Sequence, residues 1–260
     1  MAFPTYSSYQ ALLAAIDAGD QGREILNPAT GGLIGHADTH TVDDLNAAVT
    51  KARTAYAAVR HTTHDKRSAL LMEVADAIEA NAEPLAQLLS REQGKPLNGP
   101  NARFEIAGAA AWTRATASFT LEPEVLVDDD QTYSTVTYRP LGVVGAIGPW
   151  NWPIMITVWQ IAPALRMGNT VIVKPSEYTP LSVKALVHLY QCVFAADTIH
   201  YVSGDREIGA ALASHPDVDK IMFTGSTATG KKIIEASAST SKRLTLELGG
   251  NDAGIVLDDV

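Results

Sequence analysis

Cysteine occurs once in these 260 residues, as Cys192. That excludes an intrachain disulfide framework and any multi-cysteine metal cluster. The seven histidines are scattered without metal-ligand spacing. His61 and His64 come nearest to a shared helix face, and they read more simply as solvated rings beside a turn. No apolar run approaches the ~20 residues a membrane span requires. The segment Met1-Ala2-Phe3-Pro4-Thr5 lacks a basic region followed by an apolar core. The expected location is therefore cytoplasmic. Basic residues are outnumbered, 20 against 29 acids, and the net charge is −9. Nucleic acid and anionic membranes are repelled on average by such a chain, so neither is expected as a partner. Internal repeats and low-complexity linkers are lacking too, apart from the acidic run Asp128-Asp129-Asp130, which reads as a solvated turn.

What is present is an ordinary globular composition, 46% hydrophobic and 19% charged, patterned in two halves. The first third reads helical. Val42 to Val59 opens after Thr41 as an N-cap, with Asp43 and Asp44 placed favourably for the helix dipole. Asp65 to Ala80 puts Leu70, Leu71, Val74, Ala77 and Ile78 on one face. Pro84 either kinks that helix or begins a second one, which Gly94 closes. Between Pro123 and Arg139, Val125 and Val127 and then Tyr133 to Tyr138 flank the acidic turn, a β-hairpin signature.

After Pro140 strands and helices alternate. Strands are expected at Val143–Ile147, Thr170–Val173, Thr198–Val202, Lys220–Phe223, Leu244–Leu246 and Ile255–Leu257. Helices are expected at Pro153–Arg166, Leu181–Phe194, Glu207–Ala213 and Ala228–Ala238. The fold class is α/β, an open parallel sheet with helices on both faces and ligands at the carboxyl ends of the strands.

Four segments just past strand ends carry chemistry. Gly148-Pro149-Trp150-Asn151-Trp152-Pro153 places a neutral amide donor, Asn151, in a turn after an apolar strand, where it suits a negative charge. Lys174 ends a strand and can reach a ribose hydroxyl or phosphate; the alternative is a surface charge. Glu177, three residues on, would accept from ribose hydroxyls and disfavour a 2′-phosphate, which favours NAD over NADP. Phe223-Thr224-Gly225-Ser226 with Gly230 opens a helix whose free amides suit a pyrophosphate, or is an ordinary glycine-containing turn. Its spacing is neither Gly-x-Gly-x-x-Gly nor a phosphate loop ending in Gly-Lys-Ser/Thr. Gly142, Gly145 and Gly148 fall in or beside a strand and read as close packing. Glu247, in the apolar strand Leu244 to Leu248, would act as a general base with its pKa raised by burial, or else marks the solvent side of an edge strand.

With these elements in this order, the chain closely resembles the aldehyde dehydrogenase superfamily over essentially its whole length. The resemblance rests on Pro149-Trp150-Asn151 with Pro153, Lys174-Pro175-Ser176-Glu177, Phe223-Thr224-Gly225-Ser226 with Gly230, and Glu247-Leu248-Gly249-Gly250. It implies a Rossmann-like, NAD-binding domain over residues 140–260. Ahead of that domain come an N-terminal helical part over 1–122 and a β-hairpin oligomerisation arm over 123–139. It implies catalytic roles for Asn151, as oxyanion donor, and Glu247, as the base that activates water. Cofactor contacts are implied for Ile147, Gly148, Pro149, Trp150, Lys174, Ser176, Glu177, Gly225, Ser226, Gly230, Leu248 and Gly249. No metal is implied. The expected reaction is oxidation of an aldehyde to a carboxylic acid with NAD, or NADP, through a cysteine thiohemiacetal and thioester, in a homo-oligomer.

In that family the nucleophilic cysteine lies beyond the Glu-Leu-Gly-Gly segment. Cys192 falls instead between the ribose and pyrophosphate elements, as a buried, inert thiol. The expectation is that this chain is the cofactor-binding portion, without the catalytic domain and inactive alone. The alternative is a non-catalytic dinucleotide-binding or subunit-interaction module. A short-chain reductase is the weaker third reading, for want of an early glycine fingerprint and of a Tyr-x-x-x-Lys pair.

Overall fold

The computed structural model describes residues 3–16 and 21–258. The chain opens with α1 (Tyr9–Ile16) and a hairpin of β1 (Arg23–Leu26) and β2 (Leu33–Ala37). Four helices follow: α2 (Val42–Val59), α3 (His64–Ala80), α4 (Ala82–Gln93) and α5 (Ala102–Ser118). A second hairpin, β3 (Glu124–Asp128) with β4 (Tyr133–Val136), leads into β5 (Val143–Ile147), α6 (Pro153–Arg166), β6 (Thr170–Lys174) and α7 (Pro180–Val193). Then come β7 (Ile199–Tyr201), α8 (Arg206–Ser214), β8 (Lys220–Gly225), α9 (Thr227–Ser237), a 3-10 turn at Ala238–Thr240 and β9 (Arg243–Leu248).

The last five strands form one sheet in the order β7-β6-β5-β8-β9, with every pairing parallel. Strands β5 and β6 are buried at all their residues, as their near-continuous apolar sequences require of strands covered on both faces. Alternation sorts their side chains. Val144, Ala146, Val171 and Val173 join α3 to α7 in one core. Val143, Ile147, Ile172, Ile221 and Phe223 join α2, α8 and α9 in the other. A Cβ on Gly145 would lie 2.7 Å from Ile221 Cδ1 and 3.1 Å from Leu212 Cγ, so the close-packing reading of that glycine holds.

Local signals account for much of the helical layer. Thr41 caps α2 reciprocally: Asp44 N–H donates to Thr41 Oγ1 at 3.2 Å, and Thr41 N–H to Asp44 Oδ2 at 2.7 Å. The Thr41 N–H, and then the Thr41 hydroxyl donating to Oδ2 at 2.8 Å, hold the Asp44 carboxyl below its ordinary pKa. Pro84 lies in the first turn of a separate helix, α4, which Gly94 closes in the left-handed conformation with φ 86°. The junction is Asn81, whose side chain accepts from Tyr6 N–H and donates to Pro4 and Ala77 carbonyls, each at 2.9 Å.

Two of the expected elements differ in the structure. The β1–β2 hairpin interrupts the helical first third; only Ile25 of β1 is buried, so no alternating pattern announces that strand. Residues 255–257 are not a strand: Ile255, Val256 and Leu257 are largely exposed and pair with no strand among the described residues. His61 and His64 are both exposed on either side of the Thr63 cap, as the reading of solvated rings beside a turn has it. His64 begins that helix, and its Nδ1 lies 3.0 Å from Arg166 Nη1.

Candidate active site

Strand register brings the four segments to one edge. Lys174 pairs with Ile147, Ile147 with Phe223, and Phe223 with Leu246. Lys174 and Leu246 therefore stand three strand spacings apart, about 14 Å. Counted from β5, the order is 3-2-1-4-5, and its direction reverses between β5 and β8. A ligand crevice lies outside the carboxyl ends of the strands at such a reversal.

From the end of β5, Gly148 N–H donates to the Lys174 carbonyl at 3.1 Å. Gln160 Nε2 on α6 donates to the Ile147 carbonyl at 3.2 Å. The chain then turns through Pro149, Trp150 and Asn151 before Pro153 starts α6. Trp150 and Asn151 are exposed, and among the described residues no hydrogen bond occupies the Asn151 side-chain amide, while its backbone carbonyl accepts from Gln93 and Lys95.

Lys174 is 5% exposed. Among the described residues its Nζ makes one hydrogen bond, to the Pro175 carbonyl at 3.1 Å. Burial pushes its pKa down, opposed by Glu177 and Asp205. An ammonium has three donors, so a buried one with a single carbonyl partner fits a ribose hydroxyl arriving from outside. Glu177 is exposed beside it; its backbone carbonyl accepts from Arg23 Nη2. Ser176 Oγ accepts from Tyr178 N–H at 3.3 Å and so holds the turn.

At the end of β8, Ser226 is the N-cap of α9, its Oγ accepting from Thr229 N–H at 3.2 Å. The earlier amides of the first turn, at Thr227 and Ala228, lack intrahelical partners by geometry and face the crevice edge with the positive end of the helix dipole. Gly225 ends the strand. Gly230 is buried beneath Leu248, where a Cβ would lie 2.6 Å from Leu248 Cδ2. Its place in the structure is close packing of α9 on β9.

Glu247 pairs across from Thr224 near the end of β9, and it is exposed. The expectation of a buried carboxylate is corrected: β9 is an edge strand, and nothing among the described residues covers its end. Gly249 is likewise exposed. Cys192 is half-buried, not buried, and burial pushes its thiol pKa up. It lies twelve residues along α7 from Pro180, about 18 Å at 1.5 Å per residue. Because α7 runs back toward the amino ends of the strands, Cys192 is at the opposite edge of the sheet from Asn151.

The structure adds residues that the motif reading passed over. Glu105 is fully buried; its Oε1 accepts from Ile154 and Met155 N–H, at 2.7 and 3.1 Å, and its Oε2 takes Lys95 Nζ at 2.5 Å. Burial raises its pKa, and Lys95 and the two amides oppose the rise. Glu92 does the same for α7, accepting from Leu181 and Ser182 N–H at 2.6 and 2.9 Å. Each carboxylate supplies from a neighbouring helix the cap that α6 and α7, opened by proline, lack. A signal existed: Glu105 sits in the stripe Ala102, Ile106, Ala109, Ala110 at helical spacing, a charge on the buried face of α5.

A family model described as "Aldehyde dehydrogenase family" matches residues 16–260. Aldehyde dehydrogenase LUC3 of a Fusarium species is 42% identical over 241 residues, covering 93% of this chain and 50% of that protein. Among solved structures, PnpE in complex with nicotinamide adenine dinucleotide is 39% identical, with a TM-score of 0.84 over 90% of this chain and 49% of that one. An aldehyde dehydrogenase from Brucella melitensis biovar abortus 2308 is 35% identical, with the same TM-score and coverage. The chain spans about half the length of the relatives it matches. With its motifs assembled at one sheet edge, the chain belongs to the aldehyde dehydrogenase family.

Proposed function

We propose that this chain forms the NAD-binding and oxyanion-stabilising part of an enzyme that oxidises an aldehyde to a carboxylic acid. The observation that carries the reading is Lys174, a buried ammonium with unused donors, level across the sheet with the end of β5 from which Asn151 projects. Lys174 donates to the adenosine ribose and Glu177 accepts from it. The exposed first-turn amides of α9 bind the pyrophosphate. Glu177 favours NAD over NADP, since its carboxylate repels a 2′-phosphate. Bound NAD supplies the hydride acceptor. Asn151 stabilises the oxyanion that develops on the aldehyde oxygen, and Glu247 takes a proton from the attacking water. The exposed apolar β3–β4 hairpin, with Val125, Leu126 and Tyr133, is the arm through which copies associate.

Cys192 cannot supply the thiolate, being at the wrong edge with its pKa raised. Residues 1–260 alone are therefore expected to bind NAD and to give no NADH with aldehydes, as followed by absorbance. In an active enzyme containing this segment, Asn151→Ala should lower kcat by about 10²–10³, the usual loss for one oxyanion donor. An unchanged kcat would remove Asn151 from the reaction.

A further inference from the structure

The turn that carries Asn151 is held by two polar side chains, Gln93 and Lys95, and a third, Glu105, fixes Lys95; none of them is in the four motif segments. Gln93 Nε2 donates to the carbonyls of Trp150 and Asn151, at 2.8 Å each. Lys95 Nζ donates to the Asn151 carbonyl at 2.8 Å, sits 4.4 Å from the centre of the Trp152 ring and pairs with Glu105 at 2.5 Å. The Lys95 and Glu105 side chains are 11% and 0% exposed, so solvent screens this pair far less than a surface pair. Glu105 at the same time caps α6 through Ile154 and Met155. Trp152, the residue preceding α6, offers no side-chain cap of its own, and its ring meets Phe104 edge-on at 6.1 Å.

We propose that Lys95, fixed by Glu105 and assisted by Gln93, is a positioning residue for Asn151. It grips the backbone carbonyl of Asn151 and the ring of Trp152, while the amide of Asn151 is left exposed. One ion pair thereby ties the start of α6 and the carbonyl of the donor residue to a single point. An amide that must meet a developing charge gains from such a hold, because a loosely held donor would have to reorganise during the reaction. The consequence for catalysis rests on the role proposed for Asn151; the hold itself does not.

The test is 1H–15N NMR of the 260-residue chain, reading the Asn151 side-chain amide pair and the Trp152 indole N–H. Lys95→Met should shift or broaden both, with changes confined to residues 93–105 and 148–156, and resonances of Lys174 and Ser226 unmoved. Lys95→Arg should restore the Asn151 pair, since a guanidinium can both pair with Glu105 and donate to the carbonyl. Glu105→Gln, which keeps an acceptor for the two α6 amides, should reproduce the Lys95→Met pattern and serves if Lys95→Met does not fold. Unmoved Asn151 and Trp152 signals in the folded variants would overturn the proposal. So would changes spread over the whole sheet, which mark a general loss of stability. A kcat unaffected by Asn151→Ala, with these NMR shifts present, would instead overturn the functional reading alone.

Discussion

Lys174 occupies a position that costs the fold, and binding of the proposed ribose would offset that cost. Its ammonium is buried with one carbonyl acceptor, and a poorly paired buried charge is destabilising. Lys174→Met should therefore stabilise the chain by about 1 kcal/mol in urea unfolding without NAD. A loss of stability would mean that the ammonium is well satisfied. Glu92 makes a second residue-scale prediction. It is 4% exposed, and burial pushes its carboxyl up to about 7 against the opposing amides of Leu181 and Ser182. A folded pKa above the unfolded one gives stability that is complete below the unfolded value, 4.5, and lost as pH rises through about 7. Unfolding free energy measured across that window should fall more steeply in the unaltered chain than in Glu92→Gln, by on the order of 3 kcal/mol in total. Parallel pH profiles would show that Glu92 does not titrate in the native state there.

The elements show where the sequence could be read and where it could not. Helix α2 was legible because its signals agree: Thr41 and Asp44 form the cap, and Leu45, Val49 and Ala52 face the core. Strands β5 and β6 were legible because each carries a near-continuous apolar run, Val143–Ile147 and residues 171–173, and is buried at every residue. The β1–β2 hairpin was not, since it buries only Ile25 of β1 and Ala37 of β2, and its turn is set by backbone contacts such as Asn27 N–H to the Gly32 carbonyl at 2.8 Å. The run Ile255-Val256-Leu257 misled because apolar residues specify a strand only where a neighbour is present to pair with it. Glu247 left two readings open for a related reason, since a strand sequence does not state whether the strand is central or an edge; in the structure it lies exposed on the edge strand. The motif segments at the site were legible as short local patterns, whereas Glu92, Lys95 and Glu105 act across helices distant in sequence. Strand β5 itself offers a test. Gly145→Ala should cost about 1–3 kcal/mol by overpacking Ile221 and Leu212; a neutral effect on thermal unfolding would mean that α8 can retreat from the sheet.

For the whole molecule, the sheet order explains why residues separated by up to a hundred positions lie at one edge. Parallel strands deliver all four segments to the same edge, and the reversal between β5 and β8 opens that edge beneath them. The helices brace it from one side, α6 and α7 each capped by a buried carboxylate from α5 and α4. NAD is proposed to lie along this edge with its ribose on Lys174. Isothermal titration calorimetry of the 260-residue chain tests it most directly. Saturable one-to-one binding of NAD is expected, with weaker binding of NADP and an affinity lowered about tenfold in Lys174→Met, equivalent to ~1.4 kcal/mol. No saturable binding, or binding unchanged by Lys174→Met in a folded variant, would contradict it.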